Sequence, residues 1–308
     1  MKLNKIKLAL GFVTAAAMAM PIVASAAADQ EKAMSNSANW AHPRGQHDNQ
    51  AYSKLTQINK GNVKNLKAAW TLSTGVNRGH EGSPLVIGNM LYVHTAFPNN
   101  VYALDLNNNQ KVVWSYFPKQ DPSVQAVLCC DNVNRGLGFG NGKIFLQQND
   151  GNLVALNAKT GAKVWSTLNT DPKVGATNTN APHVIKDKVL TGCSGAEFGV
   201  RCFIAAYNIE DGSLAWKAMS TGPDSEVLIG ADFNKENPLY SALSVYEDVN
   251  GGNVEGGSFK RIPNDQLQGG VADLGLKTWL KPQAVKDGWQ HGGGSVWGWW
   301  PYDAKTNL

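Results

Sequence analysis

Charge is scarce in this chain. Asp, Glu, Lys and Arg make up 17% of its 308 residues, and the formal net charge is +4. Lys2, Lys5 and Lys7 lie among the first seven residues, so the rest of the chain sits close to +1. There is no basic stripe, and nothing gives nucleic acid an electrostatic footprint. Long apolar runs are equally scarce. The one of note covers residues 8–23, behind those lysines and before Ala24-Ser25-Ala26, the small-residue pattern of a signal-peptide cleavage site. Residues 1–26 read as an export signal rather than a membrane anchor, with a mature chain from about Ala27. No other stretch approaches the roughly 18 uncharged apolar residues of a spanning helix. Cysteine is limited to four residues, but in an exported chain disulfides persist.

Glycine and tryptophan, in contrast, are abundant, at 32 and 10 residues. This composition favours an all-β protein with many tight turns over a helical bundle. Internal repetition sharpens that reading. Val101-Tyr102-Ala103-Leu104-Asp105 runs through an Asn-rich turn to Trp114. The phrase returns as Leu153-Val154-Ala155-Leu156-Asn157, Lys159-Thr160-Gly161 and Trp165. It returns again as Phe203-Ile204-Ala205-Ala206-Tyr207, Glu210-Asp211-Gly212 and Trp216. The tryptophans are spaced 51 and 51 residues apart. Each unit reads as an apolar strand, a turn and a second strand ending in Trp.

A period near 50 with several strands per unit predicts a β-propeller. Residues 66–70, ending in Trp70, read as an earlier incomplete copy. Residues 300–308 read as the start of a further copy that stops at its turn. On this count residues 27–308 hold about four blades. Because propellers are stabilised by radial closure, the expectation is the N-terminal part of a longer chain rather than a small four- or five-bladed ring.

The adjacent pair Cys129-Cys130 is the most informative local feature. Neighbouring Cα atoms lie about 3.8 Å apart, below the usual 4.4–6.8 Å of bridged cysteines. A bond between them closes a small strained ring, of the kind that surrounding structure must enforce at functional sites. The alternative is a pair of buried free thiols. The chain continues Asp131-Asn132-Val133-Asn134-Arg135-Gly136. Other polar or Gly-rich segments lie between apolar strands, where a rigid scaffold presents functional groups. They are residues 79–84 with Glu81, residues 179–182 with Thr179, residues 194–201 with Ser194, Gly195, Ala196 and Glu197, and residues 292–299 with Ser295 and Trp297. An Arg, two Glu, several hydroxyls and an indole face could hold a planar, multiply anionic ligand against a metal. Taken singly, Glu197 could be a solvated carboxylate, Trp297 blade packing and Arg135 a strand-end cap. His80 and His291 are isolated and read as structural.

Residues 79–104, 129–136, 179–200 and 292–303 closely resemble the periplasmic quinoprotein alcohol dehydrogenases, most of all the methanol dehydrogenase large subunits. The resemblance covers most of residues 37–308, and the Cys pair followed by D-x-V-N-R-G is its most specific part. It implies an eight-bladed propeller with pyrroloquinoline quinone on its axis, of which this chain would supply roughly the first half. By resemblance, Cys129 and Cys130 form a vicinal disulfide flat against one quinone face, and Trp297 stacks on the other. Arg135 pairs with a cofactor carboxylate. Glu81, Thr179, Ser194, Gly195, Ala196 and Ser295 line the same pocket, Ser295 standing where the family usually has Thr. Glu197 ligates the metal, calcium or a lanthanide, with the lanthanide branch slightly favoured.

The implied reaction is oxidation of a primary alcohol. The metal acts as Lewis acid on the quinone, a carboxylate is the general base, and electrons pass to a cytochrome c. The family's catalytic Asp and its Asn ligand fall beyond the equivalent of Leu308. These residues alone are therefore expected to be inactive, and the full-length protein to be a periplasmic homodimer. Two departures stand out. Residues 241–274 are longer and more Gly-rich than in the family and read as an exposed loop. Cys193 and Cys202 replace the family's usual residues, flank the Glu197 loop and are predicted to form a second disulfide that braces it. Two rivals remain: a non-enzymatic propeller scaffold of the outer-membrane assembly type, and a quinoprotein dehydrogenase for longer alcohols or polyols.

Overall fold

The computed structural model describes residues 27–222, 246–248, 259–261 and 293–308. The export signal and most of the Gly-rich stretch at 241–274 lie outside the described residues. A helix α1 (Ala27–Ser35) comes first, at the expected start of the mature chain. Among the described residues no helix is long and apolar enough to cross a membrane.

Strand β1 (His80–Ser83) precedes three antiparallel meanders. The first is β2 (Leu85–Ile87), β3 (Met90–His94), β4 (Val101–Asp105) and β5 (Lys111–Tyr116). The second is β6 (Asn134–Gly140), β7 (Lys143–Gln147), β8 (Asn152–Asn157) and β9 (Lys163–Leu168). The third is β10 (His183–Ile185), β11 (Lys188–Thr191), β12 (Phe203–Asn208) and β13 (Leu214–Met219). A two-stranded pair, β14 (Tyr246–Asp248) with β15 (Phe259–Arg261), lies inside the stretch expected to be a loop. β1 leaves its own meander and pairs in parallel with β6, His80 opposite Asn134 and Ser83 opposite Gly136.

Alternation along the strands explains why the meanders stack. On β7, Ile144 and Leu146 join one apolar cluster, with Leu85, Val101, Trp114, Leu137, Val154 and Leu156. Phe145 points the opposite way into a second cluster, with Leu153, Trp165, Val184, Val189, Phe203 and Ile209. Successive strand residues face opposite sides of a sheet, so the middle meander buries both faces, one against each neighbour. That is the packing of consecutive propeller blades, and the all-β propeller expectation holds.

The repeated phrase is the blade-to-blade clamp. Ala103, Ala155 and Ala206 each face the blade Trp of the next strand, and each pair is followed by a register shift of one residue. The small Ala leaves room for the indole. Trp114 Nε1 then donates to the Ala158 carbonyl at 3.0 Å, and Trp165 Nε1 to the Ile209 carbonyl at 3.1 Å, each in the following blade. The indole ring lies on that blade's turn glycine. A Cβ on Gly161 or Gly212 would come within 2.5 Å of Trp114 or Trp165, and both glycines have φ of +72°. Only Gly meets both demands.

Three expectations are corrected. The blade strands run two or three residues past each Trp rather than ending on it, because the bulge places the Trp inside the ladder. Residues 66–70 form no strand, and Trp70 is 41% exposed, since no neighbouring strand among the described residues pairs with them. Residues 300–308 keep the expected turn, with the Asp303 carboxylate accepting from Lys305 N and Thr306 Oγ1, but add no strand. Three full blades lie among the described residues.

Candidate cofactor site

The vicinal pair is reached through a short capped turn. Asp121 accepts a hydrogen bond from Ser123 N, and Pro122 opens a 3-10 turn over Pro122–Val127. Cys129 and Cys130 are bridged, with Cα atoms 3.8 Å apart. The chain then turns left-handed through three consecutive non-glycine residues, Cys130, Asp131 and Asn132, at φ of +56°, +61° and +63°. Each such residue costs on the order of 1–3 kcal/mol and persists only where its surroundings fix it. Phe97 N donates to the Asn132 carbonyl at 3.0 Å, which ties this turn to the first blade. The turn delivers the chain directly into β6.

Arg135 sits on β6, and the parallel pairing with β1 brings Glu81 beside it. Its guanidinium meets the Glu81 carboxylate at 3.1 Å, donates to the Thr179 carbonyl at 3.3 Å and lies 4.5 Å over the Trp297 ring. Burial pulls its pKa down and Glu81 pushes it back up; a guanidinium stays charged in either case. Thr179 lies before β10, and its hydroxyl meets the Ser194 hydroxyl at 2.5 Å. Ser194 opens the β11–β12 loop, where Ala196, Glu197 and Phe198 form one 3-10 turn. Ala196 N donates to Ser295 Oγ at 3.4 Å, which links that loop to the segment carrying Trp297.

A cavity of about 200 Å³ gathers these parts. Its walls are Cys129, Cys130, Arg135, Thr179, Ser194, Glu197, Ser295 and Trp297. All eight were singled out from sequence as cofactor or metal residues. Three others were not brought onto the wall. Glu81 stands behind Arg135 as its ion-pair partner, Gly195 shapes the loop at φ of +112°, and Ala196 contributes its backbone N–H to Ser295. A larger hollow of about 490 Å³ is lined by one short stretch, residues 72–77, together with His80. His80 bonds the Val76 carbonyl through Nε2 at 2.7 Å; His291 lies outside the described residues.

The donor set suits a flat polyanion. One cation, three hydroxyls and an indole surround the cavity, with a disulfide on its wall. Metal binding is less well served: among the described residues no group of three or more His, Cys, Asp or Glu could hold an ion. Glu197 is the one carboxylate on the wall.

Behind the cavity lies a buried amide network that the sequence reading missed. Asn149 Nδ2 donates to the carbonyls of Val133 and Asn178, and Asn178 Nδ2 to that of Gln148. Asn169 Nδ2 donates to Asn178 Oδ1 and to the Gly192 carbonyl, while Tyr207 OH donates to Asn169 Oδ1. Asn134 Nδ2 donates to the Gln147 carbonyl. These amides pair with backbone carbonyls mostly just outside the strands, and they tie together the chain next to Arg135, Thr179 and Ser194. Their only sequence signal was the density of Asn next to strand ends.

The chain as a whole is similar to known proteins. The family model for the PQQ group, glucose/ethanol/alcohol dehydrogenase β-propeller domain, matches residues 40–236. A lanthanide-dependent methanol dehydrogenase of Methylorubrum extorquens is 46% identical over 277 residues, covering 90% of this chain and 40% of that protein. Subunit 1 of the methanol dehydrogenase [cytochrome c] of the same organism is 45% identical over 276 residues, covering 88% and 39%. Among solved structures, a europium-containing methanol dehydrogenase aligns with a TM-score of 0.72 at 44% identity, over 90% of this chain and 42% of that one. The chain thus spans about two fifths of the length of the curated relatives it matches.

Proposed function

Because the chain belongs to the PQQ-dependent dehydrogenase β-propeller family, we propose that it forms part of an alcohol-oxidising quinoprotein whose pyrroloquinoline quinone occupies the cavity between Cys129-Cys130 and Trp297. One observation carries this reading: eight side chains from four separate stretches of sequence converge on a single cavity. When bound, the quinone supplies the two-electron oxidant. The protein's part is positional and electrostatic. Arg135 holds anionic oxygen with a planar fork of donors, and Thr179, Ser194 and Ser295 offer hydroxyls to the ring's polar edge. Trp297 and the Cys129-Cys130 bridge, both on the cavity wall, would pack against the ring and limit the access of water to it. Glu197 provides hard oxygen for calcium or a lanthanide.

The substrate in this reading is a primary alcohol, methanol or similar, the electron acceptor a cytochrome c, and the place of action the periplasm, reached through the export signal at residues 1–26. The full-length protein is a homodimer. Identity to a lanthanide-dependent methanol dehydrogenase and to a methanol dehydrogenase [cytochrome c] subunit is nearly equal, at 46% and 45%, so both metals stay in the proposal. One carboxylate on the cavity wall leaves the metal short of ligands, and no catalytic base lines the cavity among the described residues. These 308 residues alone are therefore expected to bind quinone and turn over no alcohol.

The test is quinone titration with calcium or a lanthanide, followed by Trp fluorescence and visible absorbance. Saturable quenching lost in Trp297→Leu and weakened about tenfold or more in Arg135→Ala supports the reading. No binding, or binding that neither change affects, removes it and leaves a cofactor-free scaffold. Steady-state rates of the full-length protein over an alcohol series separate methanol from longer alcohols and polyols.

A further inference from the structure

Cys193 and Cys202 are fully buried and bonded, nine positions apart, just past the ends of the paired strands β11 and β12. The residues between them carry two cavity side chains, Ser194 and Glu197. This loop has little stiffness of its own, because its single 3-10 turn is flanked by Gly195 and Gly199, at φ of +112° and +84°. Its outer anchor is a two-way backbone pair between Ser194 and Thr177, at 2.9 and 3.1 Å.

The backbone on either side of the bond faces the other cavity segment. Val296 N donates to the Cys193 carbonyl at 2.9 Å, and Ser220 N to the Cys202 carbonyl at 2.9 Å. The Ser220 hydroxyl lies 2.8 Å from the Cys202 carbonyl and 2.6 Å from that of Gly294. Arg201 forms a parallel bridge with Gly293. A Cβ on Gly192 would lie 2.0 Å from the Val296 carbonyl, so the two backbones are in direct contact. Residues 293–296 thus rest on the ends of the bridged loop, and Ser295 and Trp297 belong to that segment.

From these contacts we infer that Cys193–Cys202 is a positioning element for the cofactor cavity, fixing the Glu197 loop and the Trp297 segment in one relation to each other. The inference rests on the quinone reading of the site. Neither cysteine touches the cavity. Their bond acts through Ser194, Glu197, Ser295 and Trp297, so its loss loosens one half of the slot and leaves the Cys129-Cys130 and Arg135 half in place.

The test uses Cys193→Ala/Cys202→Ala, with Cys193→Ala/Cys202→Val as a second form that refills the core should the first fail to fold. Amide exchange at Val296 and Ser194 is read without ligand, against Phe145 and Leu146 in β7 as controls. Exchange faster by about tenfold or more at the first pair alone is expected, with quinone affinity weakened about tenfold or more. Trp297→Leu should then cost less affinity in the variant than in the unaltered protein, because the ring is already displaced. Unchanged exchange at Val296, or unchanged quinone affinity in a folded variant, overturns the inference. If the unaltered protein binds no quinone, the reading of the site fails instead, and amide exchange alone decides whether the bond positions the segment.

Discussion

The two disulfides of this protein are the same bond put to opposite uses. Cys129-Cys130 joins neighbours at the surface of the cavity, where Cys130 is exposed and begins a left-handed turn. Cys193–Cys202 joins residues nine apart inside an apolar cluster, at 0% exposure for both. The chain entropy a crosslink removes grows with the logarithm of the loop it closes, so the first removes less than the second. The first therefore makes sense as a surface for a ligand. The second makes sense as a brace. The vicinal cystine lines the cavity itself, while the buried one adds stability and acts on the cavity only through the loop it closes.

Acid should break the comparison most strongly. His94 lies under the vicinal side, bonded through Nε2 to the Asn134 carbonyl at 3.2 Å, beside Gly82 and the backbone of Arg135. Burial holds its pKa down to about 4, against the Asn134 bond that raises it, and His80 lowers it slightly further. The unfolded chain takes up this proton near pH 6.5 and the folded one only near 4. Stability is full above about 6.5 and is lost as pH falls towards 4, by about 3 kcal/mol from this group. His183, lowered by burial to about 3, adds to the same trend. Tyr207, in the same apolar cluster as the second disulfide, is pushed up to about 12 by burial and stays neutral throughout. Chemical denaturation of His94→Gln at pH 7 and pH 4 should recover His94's share of the acid loss. An unchanged pH dependence would refute the assignment.

Next in size is the brace itself. Removing Cys193–Cys202 with paired Ala substitutions should lower unfolding stability by about 2.5–3 kcal/mol, the value for a loop of about ten residues. Equilibrium unfolding in urea reads this directly. A loss below about 1 kcal/mol would mean that the Thr177–Ser194 pair and the neighbouring backbone already hold the loop.

The smallest stability effect belongs to the vicinal pair. Cys129→Ala/Cys130→Ala should change unfolding stability by less than about 1.5 kcal/mol, because two-residue closure removes little entropy and the left-handed turn is held from outside by Phe97. Quinone titration of the same variant should nevertheless show the larger functional loss. If the vicinal variant lost as much stability as the Cys193/Cys202 variant, the contrast between the two bonds would not hold.

Much of this was legible without coordinates. The 51-residue spacing of Trp114, Trp165 and Trp216 predicted the blades, because a clamp repeated at every blade boundary must repeat in sequence. The Cys129-Cys130 bond was implied by the family resemblance, adjacency alone leaving free thiols open, and Cys193–Cys202 was expected because the two flank a loop between paired strands. Trp70 misled because a Trp after apolar residues makes a blade strand only where another strand can pair with it. The amides at 134, 149, 169 and 178 were not legible, since no spacing marks which Asn will face a buried carbonyl.

Local rules of turn, alternation and repeat thus determined the strands and the blade boundaries, and the family resemblance supplied the list of residues from which a site could be made. Only the tertiary structure decided which of them meet. Glu81 faces Arg135 because β1 leaves its own meander to pair in parallel with β6. Trp297 reaches the same guanidinium because its segment rests on the bridged loop of the third blade. Both contacts join segments far apart in the chain, where closure is governed by sheet pairing and packing rather than by any property of the residues between them.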